Sequence, residues 1–235
     1  MTKLFLFLAL ILPMKATTQI KAFVCLCDND HQAIAPVGKA IGNGLDPAAN
    51  LYWGCSDGLS AYFKRSKKWK LTETLKPEEG PVLVTLKFTH HSGDATLTAH
   101  AYRGDRMKTC LEQFFNESRE AGGKQLIAFL GHNGLMDNQL DWPKAADPDD
   151  EPSHAIVLGC LTKSYFAAPL KKMNSEPLLL TKSLMYPGSF LLHDAIEIWL
   201  KKGTKAEMRE AAAKAYAKNQ KISVKAARTV FAKLP

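Results

Sequence analysis

The chain has 235 residues, a formal net charge of +8 at pH 7 and five cysteines. Its length fits a single α/β domain. No segment interleaves aromatic and basic residues as a nucleic-acid reader does, so we expect no nucleic-acid partner. One local basic cluster can meet phosphate or a membrane surface, although a solvated helix end is the commoner explanation of such a run. The cluster consists of Lys64, Arg65, Lys67, Lys68 and Lys70.

The N-terminus has the order of a secretory leader. Lys3 precedes the apolar run Leu4–Leu12, and a small polar patch follows at residues 16–18. The run is shorter than the roughly 20 residues that cross a bilayer, and the first cysteine lacks the preceding small residues of a lipid anchor. A buried first strand is the alternative interpretation. We predict a signal peptide at residues 1–19, a single domain over 20–235, and an exported protein, periplasmic or secreted, without a stable membrane anchor.

Apolar periodicity predicts a strand, a helix and a hairpin in the first half of the chain. A short apolar run over Ala22–Cys27 indicates a buried strand that ends in a polar loop. Apolar residues of Leu51–Lys64 fall on one helical face. Pro81–His90 and Ala95–Arg103 alternate apolar and polar residues around a Ser-Gly-Asp turn, which predicts a β-hairpin.

The second half alternates helices with short apolar runs. Asp105 can cap a helix, and a capping box starts another at Thr204, where Glu207 stands three residues later. A further long helix precedes Thr204, and a short one begins at Ser223. The apolar runs, which we interpret as strands, are Gln125–Leu130, Ala155–Leu158 and Pro177–Leu180.

Short, non-alternating strands separated by helices are typical of a largely parallel sheet with helices on both faces. We therefore predict an α/β fold with a doubly wound sheet and a C-terminal helical segment. Ligands of such sheets bind beyond the carboxyl ends of the strands. The residues that follow the predicted strands are Asp28, Asn29, His132, Asn133, Gly134, Cys160 and Thr181.

Two consecutive strands end in an imidazole and a thiol. A parallel sheet brings His132 and Cys160 to the same edge, where the imidazole can lower the thiol pKa from its ordinary value of about 8.5 or take the proton during attack. Gly134 and Gly159 leave backbone N–H groups open to a developing oxyanion. Cys160 also opens a predicted helix, whose N-terminal field favours a thiolate. This pattern favours a nucleophilic cysteine.

The segments LIAFLGHNG and AIVLGC carry these residues. They resemble the motifs of the caspase-type cysteine peptidases, the clan that includes legumain, gingipain, clostripain and separase. The resemblance covers the two motifs and the strand order over about residues 22–181. It implies a caspase-like fold, a peptide or protein substrate, His132 as general base or acid, and Cys160 as nucleophile. Because Asn133 separates the histidine from the glycine that usually follows it, the oxyanion donor is the N–H of Asn133, that of Gly134, or absent.

More of the chain resembles a set of uncharacterised bacterial secreted proteins. The shared blocks are DN…NLYWG…FKRS…W, GHNGLMD and C-x-x-K-S-Y-F, here Asp28–Asn29, Asn50–Gly54, Phe63–Ser66 and the segments that begin at Gly131 and Cys160. This likeness implies no established activity.

Structural interpretations of the same residues remain open. His132 can simply end a strand, because Asn133 and Gly134 form a common turn pair. Cys160 can be a packing residue or pair with another cysteine, although an odd number leaves at least one thiol unpaired. Asp137 and Asp141 can bind a divalent cation beside the His132 loop, but surface carboxylates of this kind are usually solvated.

We predict a secreted cysteine-dependent hydrolase of peptide or amide bonds that acts through Cys160 and His132, without a metal or organic cofactor. Asp28 or Asn29 would orient the imidazole or contact substrate. The alternative is a non-catalytic periplasmic binding or interaction module that holds a peptide or small anion in the same cleft. An inhibitor or immunity-type protein is a third possibility and requires a large exposed apolar surface. The glycine motifs of nucleotide sites and the G-x-S-x-G elbow of serine hydrolases are missing from the sequence.

Overall fold

The computed structural model describes residues 17–123 and 125–235. Most of the predicted leader, residues 1–16, lies outside the described residues. The strands are β1 (Thr18–Cys25), β2 (Trp69–Leu75), β3 (Val82–His90), β4 (Ala95–Tyr102), β5 (Gln125–Leu130), β6 (Ser153–Leu158) and β7 (Ser175–Leu179). The helices are α1 (Leu59–Arg65), α2 (Met107–Glu120), α3 (Thr162–Lys172), α4 (Ser189–Leu200), α5 (Lys205–Gln220) and α6 (Val224–Arg228).

The strands form one mixed, mostly parallel sheet in the order β2-β3-β4-β1-β5-β6-β7. β1 lies between β4 and β5 and is parallel to both, and β6 and β7 continue the parallel part beyond β5. The hairpin of β3 and β4 and the edge strand β2 are antiparallel. Between β4 and β5 the chain passes across β1, so strands β2–β4 lie on one side of β1 and strands β5–β7 on the other. Doubly wound sheets bind ligands at such a change of direction, beyond the carboxyl ends of the strands.

Helices cover both faces of the sheet, which confirms the predicted α/β architecture. In β5, Leu126 and Leu130 pack on the face covered by α1, α4 and α5. Ile127 and Phe129 face the opposite side, where α2 and α3 pack. Because successive strand residues point to opposite faces, a strand covered on both sides is apolar throughout. This is why β5 was predicted with the bounds that the structure has.

β2 was not predicted, because it is an edge strand with mostly polar and exposed residues. Only its first residue, Trp69, is buried, and the remainder reads KLTETL. Among the described residues its backbone pairs only with β3, so backbone hydrogen bonds hold it in place and its sequence shows no apolar period.

The helix predicted over Leu51–Lys64 was wrong in its first half, because α1 begins only at Leu59. The carbonyl oxygen of Asn50 accepts three successive backbone N–H groups, which folds the following residues into turns. At Gly54 a Cβ atom would lie 1.9 Å from the carbonyl oxygen of Ala48, so only glycine fits this turn. Cys55 consequently lies in the turn, not on a helical stripe, and its thiol donates to Ala49.

Asp105 does not cap α2 as predicted. It lies in a short 3₁₀ helix over Gly104–Arg106, and its carboxylate accepts from the guanidinium of Arg103 at 3.0 and 2.9 Å. The position before α2 is Arg106, whose side chain makes no cap hydrogen bond. Within the range that the structure describes, no helix is long and apolar enough to cross a bilayer.

The predicted capping box of α5 is confirmed and gives a stability prediction. Thr204 Oγ1 accepts from the Glu207 N–H at 3.2 Å, and the Glu207 carboxylate accepts from the Thr204 N–H at 2.7 Å. We expect Thr204→Ala to lower the free energy of unfolding by about 1 kcal/mol, because it leaves a helical N–H unpaired. Urea denaturation measures this loss. Thr74→Ala, at an exposed position of β2, is the control, and equal effects of the two changes would contradict the prediction.

Candidate functional site

His132 and Cys160 occupy matching positions beyond two neighbouring parallel strands. β5 and β6 are in register with Leu130 opposite Leu158, and the Gly131 N–H donates to the Leu158 carbonyl at 3.0 Å. Each of the two residues follows its strand by two positions, and adjacent strands lie about 4.8 Å apart. The backbone therefore places His132 and Cys160 at the same edge of the sheet, as the sequence predicts.

A side chain joins the two loops directly. Asn133 Nδ2 donates to the carbonyl oxygen of Cys160 at 2.7 Å, and Asn133 Oδ1 accepts from the Leu135 N–H at 3.2 Å. The second bond caps the short 3₁₀ helix Gly134–Met136. The loop after β5 is thus held against the loop after β6 by a buried amide.

The imidazole of His132 is paired with a carboxylate. Its side chain is only 7% exposed, and Nε2 hydrogen-bonds to Oδ2 of Asp137. Asp137 Oδ2 also accepts from the Ala33 N–H at 3.4 Å, which connects this loop to the one after β1. A carboxylate accepts from N–H, so the proton lies on Nε2 and Nδ1 is left as the basic nitrogen. Nδ1 makes no hydrogen bond to any described residue.

Cys160 is half-buried and belongs to the loop that precedes α3. Its thiol donates to the Met185 carbonyl at 3.8 Å. Among the described residues, no hydrogen bond joins this thiol to His132. α3 begins at Thr162, two residues later than predicted, because Leu161 adopts a left-handed conformation with φ of 55°.

Gly159 lets the two loops approach closely. A Cβ atom there would lie 2.7 Å from the Gly131 carbonyl oxygen and 3.6 Å from the backbone nitrogen of Asn133. The N–H of Gly134 is engaged, because it donates to the His132 carbonyl at 3.0 Å. The N–H of Asn133 donates to no group in the described part of the chain. Of the two N–H groups considered from sequence, that of Asn133 is the one without an acceptor among the described residues, and it is fully buried in the free protein.

Asp28 and Asn29 organise the loop after β1. Asp28 is 3% exposed, accepts from the Asp30 N–H at 2.9 Å, and contacts His31 Nδ1 at 3.0 Å. The Asn29 amide makes both of its hydrogen bonds with the backbone of Val37, at 2.8 and 3.0 Å. In the structure as described, neither side chain hydrogen-bonds to His132 or Cys160.

The group that holds the imidazole is Asp137, considered from sequence only as a cation ligand together with Asp141. The sequence did indicate that Asp137 could pair with His132, since GHNGLMD contains both residues in one short loop. Asp141 instead pairs with Lys108 at 2.8 Å. Within residues 17–123 and 125–235, no group of three or more His, Cys, Asp or Glu residues could hold a metal ion.

All five cysteines are free thiols, and Cys160 and Cys55 are the two that are not fully buried. Burial raises the pKa of Cys27 to about 11, although a hydrogen bond with Tyr52 acts in the opposite direction. Burial, followed by the charge of Cys27, raises the Tyr52 pKa well above its ordinary value. Cys27 therefore stays protonated near neutral pH, and the half-buried Cys160 is the accessible thiol at this sheet edge.

No family model matches the sequence, and the curated proteins and solved structures yield no match. The assignment of a function consequently depends on the chemistry of the site.

Proposed function

We propose that this chain is an exported, cysteine-dependent hydrolase of peptide or amide bonds, with Cys160 as nucleophile and His132 as general base. The observation that carries the proposal is the His132–Asp137 pair, which leaves Nδ1 as the basic nitrogen at the sheet edge that also bears the thiol. A nucleophile, a base and a group that orients the base are the parts that covalent catalysis requires.

The reaction follows from these parts. The Cys160 thiol transfers its proton to His132 Nδ1, and the thiolate attacks the substrate carbonyl carbon. The carbon–nitrogen bond then breaks, the imidazolium returns the proton to the departing amine, and water hydrolyses the acyl-thioester with the same imidazole as base. The N–H of Asn133 is the proposed donor to the oxyanion, and because the residue is fully buried, a bound substrate must displace the loop after β6 to reach it. In the free protein the substrate carbonyl would bind at the outer edge of the two loops, beside the thiol and Nδ1.

Catalysis of this kind does not require a thiol–imidazole hydrogen bond in the free protein. Catalytic hydrogen bonds are often long or misaligned before substrate binds, so the bond from Cys160 to Met185 is compatible with the proposal. That same bond also favours the second candidate, a non-catalytic module that holds a peptide or small anion in the cleft, because it engages the thiol in a structural contact.

Labelling by iodoacetamide, with mass-spectrometric mapping, separates the two candidates. We expect Cys160 to react fastest, Cys55 slowly, and the three buried thiols not at all near neutral pH, because burial keeps the reagent from them. We expect His132→Ala to slow the labelling of Cys160 by roughly 10-fold or more, because the proton acceptor is lost. His91→Ala is the control, since His91 is exposed and lies on the hairpin.

Hydrolysis of a peptide library gives the second readout. Product release by the wild-type chain that is lost in Cys160→Ala, with an unchanged unfolding midpoint, is the expected result. Equal labelling rates at Cys160 and Cys55, both indifferent to His132→Ala, would contradict the proposal and favour the binding module.

A further inference from the structure

A serine, a histidine and an aspartate form a hydrogen-bonded chain away from the Cys160 site. Ser66 Oγ lies 2.9 Å from His193 Nε2, and His193 Nδ1 lies 2.9 Å from Asp194 Oδ1. Ser66 follows α1, whereas the other two residues belong to α4, 127 positions later. Only the packing of α1 beside α4 brings the three together.

The hydrogen bonds determine where each proton lies. Ser66 Oγ accepts from the Lys68 N–H at 3.1 Å, so its own proton is free to go to the imidazole. The Asp194 carboxylate can only accept, which places the imidazole proton on Nδ1. His193 Nε2 is then the acceptor of the serine proton. This is the protonation state in which an imidazole acts as general base toward a serine hydroxyl.

Aromatic rings hold this imidazole in place. His193 is 7% exposed, and the rings of Tyr62 and Phe63 contact it edge-on, each with its centroid 5.4 Å away. A base with a fixed ring plane loses little orientational freedom during a reaction. The packing therefore preorganises the pair of Ser66 and His193.

Ser66 is accessible and lies within the basic cluster of residues 64–70. Its side chain is half-buried, and the N–H of the next residue, Lys67, donates to no group among the residues described. Lys64, Lys67 and Lys70 are exposed and make no ion pair with another described residue. An N–H next to the nucleophile can meet an oxyanion, and unpaired lysines attract an anionic substrate.

We propose that Ser66, His193 and Asp194 form a second nucleophilic site, which hydrolyses carboxylic esters that carry an anionic group. Ser66 Oγ attacks the ester carbonyl carbon while His193 Nε2 takes the hydroxyl proton. The bond to the alcohol oxygen breaks, and the imidazolium returns that proton to the departing alcohol. Water then hydrolyses the acyl-serine, again with His193 as base, and releases the carboxylic acid. Asp194 orients the imidazole throughout.

A fluorophosphonate probe tests the nucleophile, because it phosphonylates activated serines with loss of fluoride. We expect the probe to modify Ser66, as mapped by mass spectrometry, and His193→Phe to reduce that labelling by roughly 100-fold or more. The phenylalanine ring retains the contacts with Tyr62 and Phe63 but has no basic nitrogen. Ser92→Ala is the control: this exposed serine also contacts a histidine, His90 Nδ1 at 2.5 Å, yet lies on a hairpin turn.

Two umbelliferyl esters test the substrate class. We expect the anionic hemisuccinate to be hydrolysed at least about 10-fold faster than the neutral acetate at low salt, with the difference reduced by added salt. Both activities are measured in the Cys160→Ala background, where the thiol nucleophile is absent, and should disappear on the additional change Ser66→Ala, which separates this site from the cysteine site. Labelling of Ser66 no faster than that of Ser92, or unaffected by His193→Phe in a folded protein, would overturn the proposal.

Discussion

Replacing Asp137 with asparagine is expected to lower the rate of Cys160-dependent hydrolysis by roughly 10²–10⁴-fold. The carboxylate can only accept a hydrogen bond, so it keeps the His132 proton on Nε2 and leaves Nδ1 basic. An asparagine amide can also donate to Nε2, which would favour the tautomer with its proton on Nδ1. In that tautomer the imidazole cannot take the thiol proton. The amide also loses the negative charge that stabilises the imidazolium.

Steady-state kinetics on a cleaved peptide separates this role from a structural one. We expect kcat to fall while KM stays near its wild-type value, and Asp137→Glu to recover part of kcat. Asp141→Asn is the matched control, because Asp141 follows in the same connection, is 88% exposed at its side chain and pairs with Lys108. Equal kcat values for Asp137→Asn and Asp141→Asn would refute the orienting role.

The second large effect concerns stability: Asn50→Leu is expected to reduce the free energy of unfolding by about 3 kcal/mol or more. Asn50 is fully buried, and its amide completes hydrogen bonds with the backbone of three other residues. Oδ1 accepts from the N–H groups of Cys27 and Tyr52 at 3.0 and 3.1 Å. Nδ2 donates to the carbonyl oxygens of Cys27 and Asn43 at 2.8 and 3.0 Å. Leucine has a similar volume but leaves these buried groups unpaired.

Urea denaturation, followed by the fluorescence of the buried tryptophans, measures this loss. The matched control is Asn219→Leu, since Asn219 is exposed on α5 and, among the described residues, donates only to Asp57, at 2.9 Å. We expect the control to change the free energy of unfolding by less than about 0.5 kcal/mol. A loss below about 1 kcal/mol for Asn50→Leu would show that the amide does not hold the loop after β1.

The predictions from sequence succeeded where burial or hydrogen bonds between nearby residues determine the local structure. β5 is covered on both faces, so its apolar run coincides with the strand. The capping box at Thr204 was found because its hydrogen bonds connect residues three positions apart. β2 was missed because backbone pairing with β3 holds it, and that pairing leaves no apolar pattern in the sequence. The turn before α1 was missed because hydrogen bonds to the Asn50 carbonyl oxygen hold it, and these leave no apolar pattern either.

The candidate site was likewise predicted only in part from the sequence. The sequence by itself determined that His132 and Cys160 follow neighbouring strands at one edge of the sheet, because consecutive parallel strands present their carboxyl ends at the same edge.

Only the tertiary structure decided which groups contact His132 and Cys160, and that Ser66 lies beside His193. The choice of Asp137 over Asp28 as partner of the imidazole depends on how the loop after β5 curls back on its own histidine. The contact of Ser66 with His193 depends on the packing of α1 beside α4. A hydrogen bond between two side chains depends on their positions in space, which the spacing of the residues along the chain does not give. Burial and strand direction, by contrast, follow from the type and order of the residues.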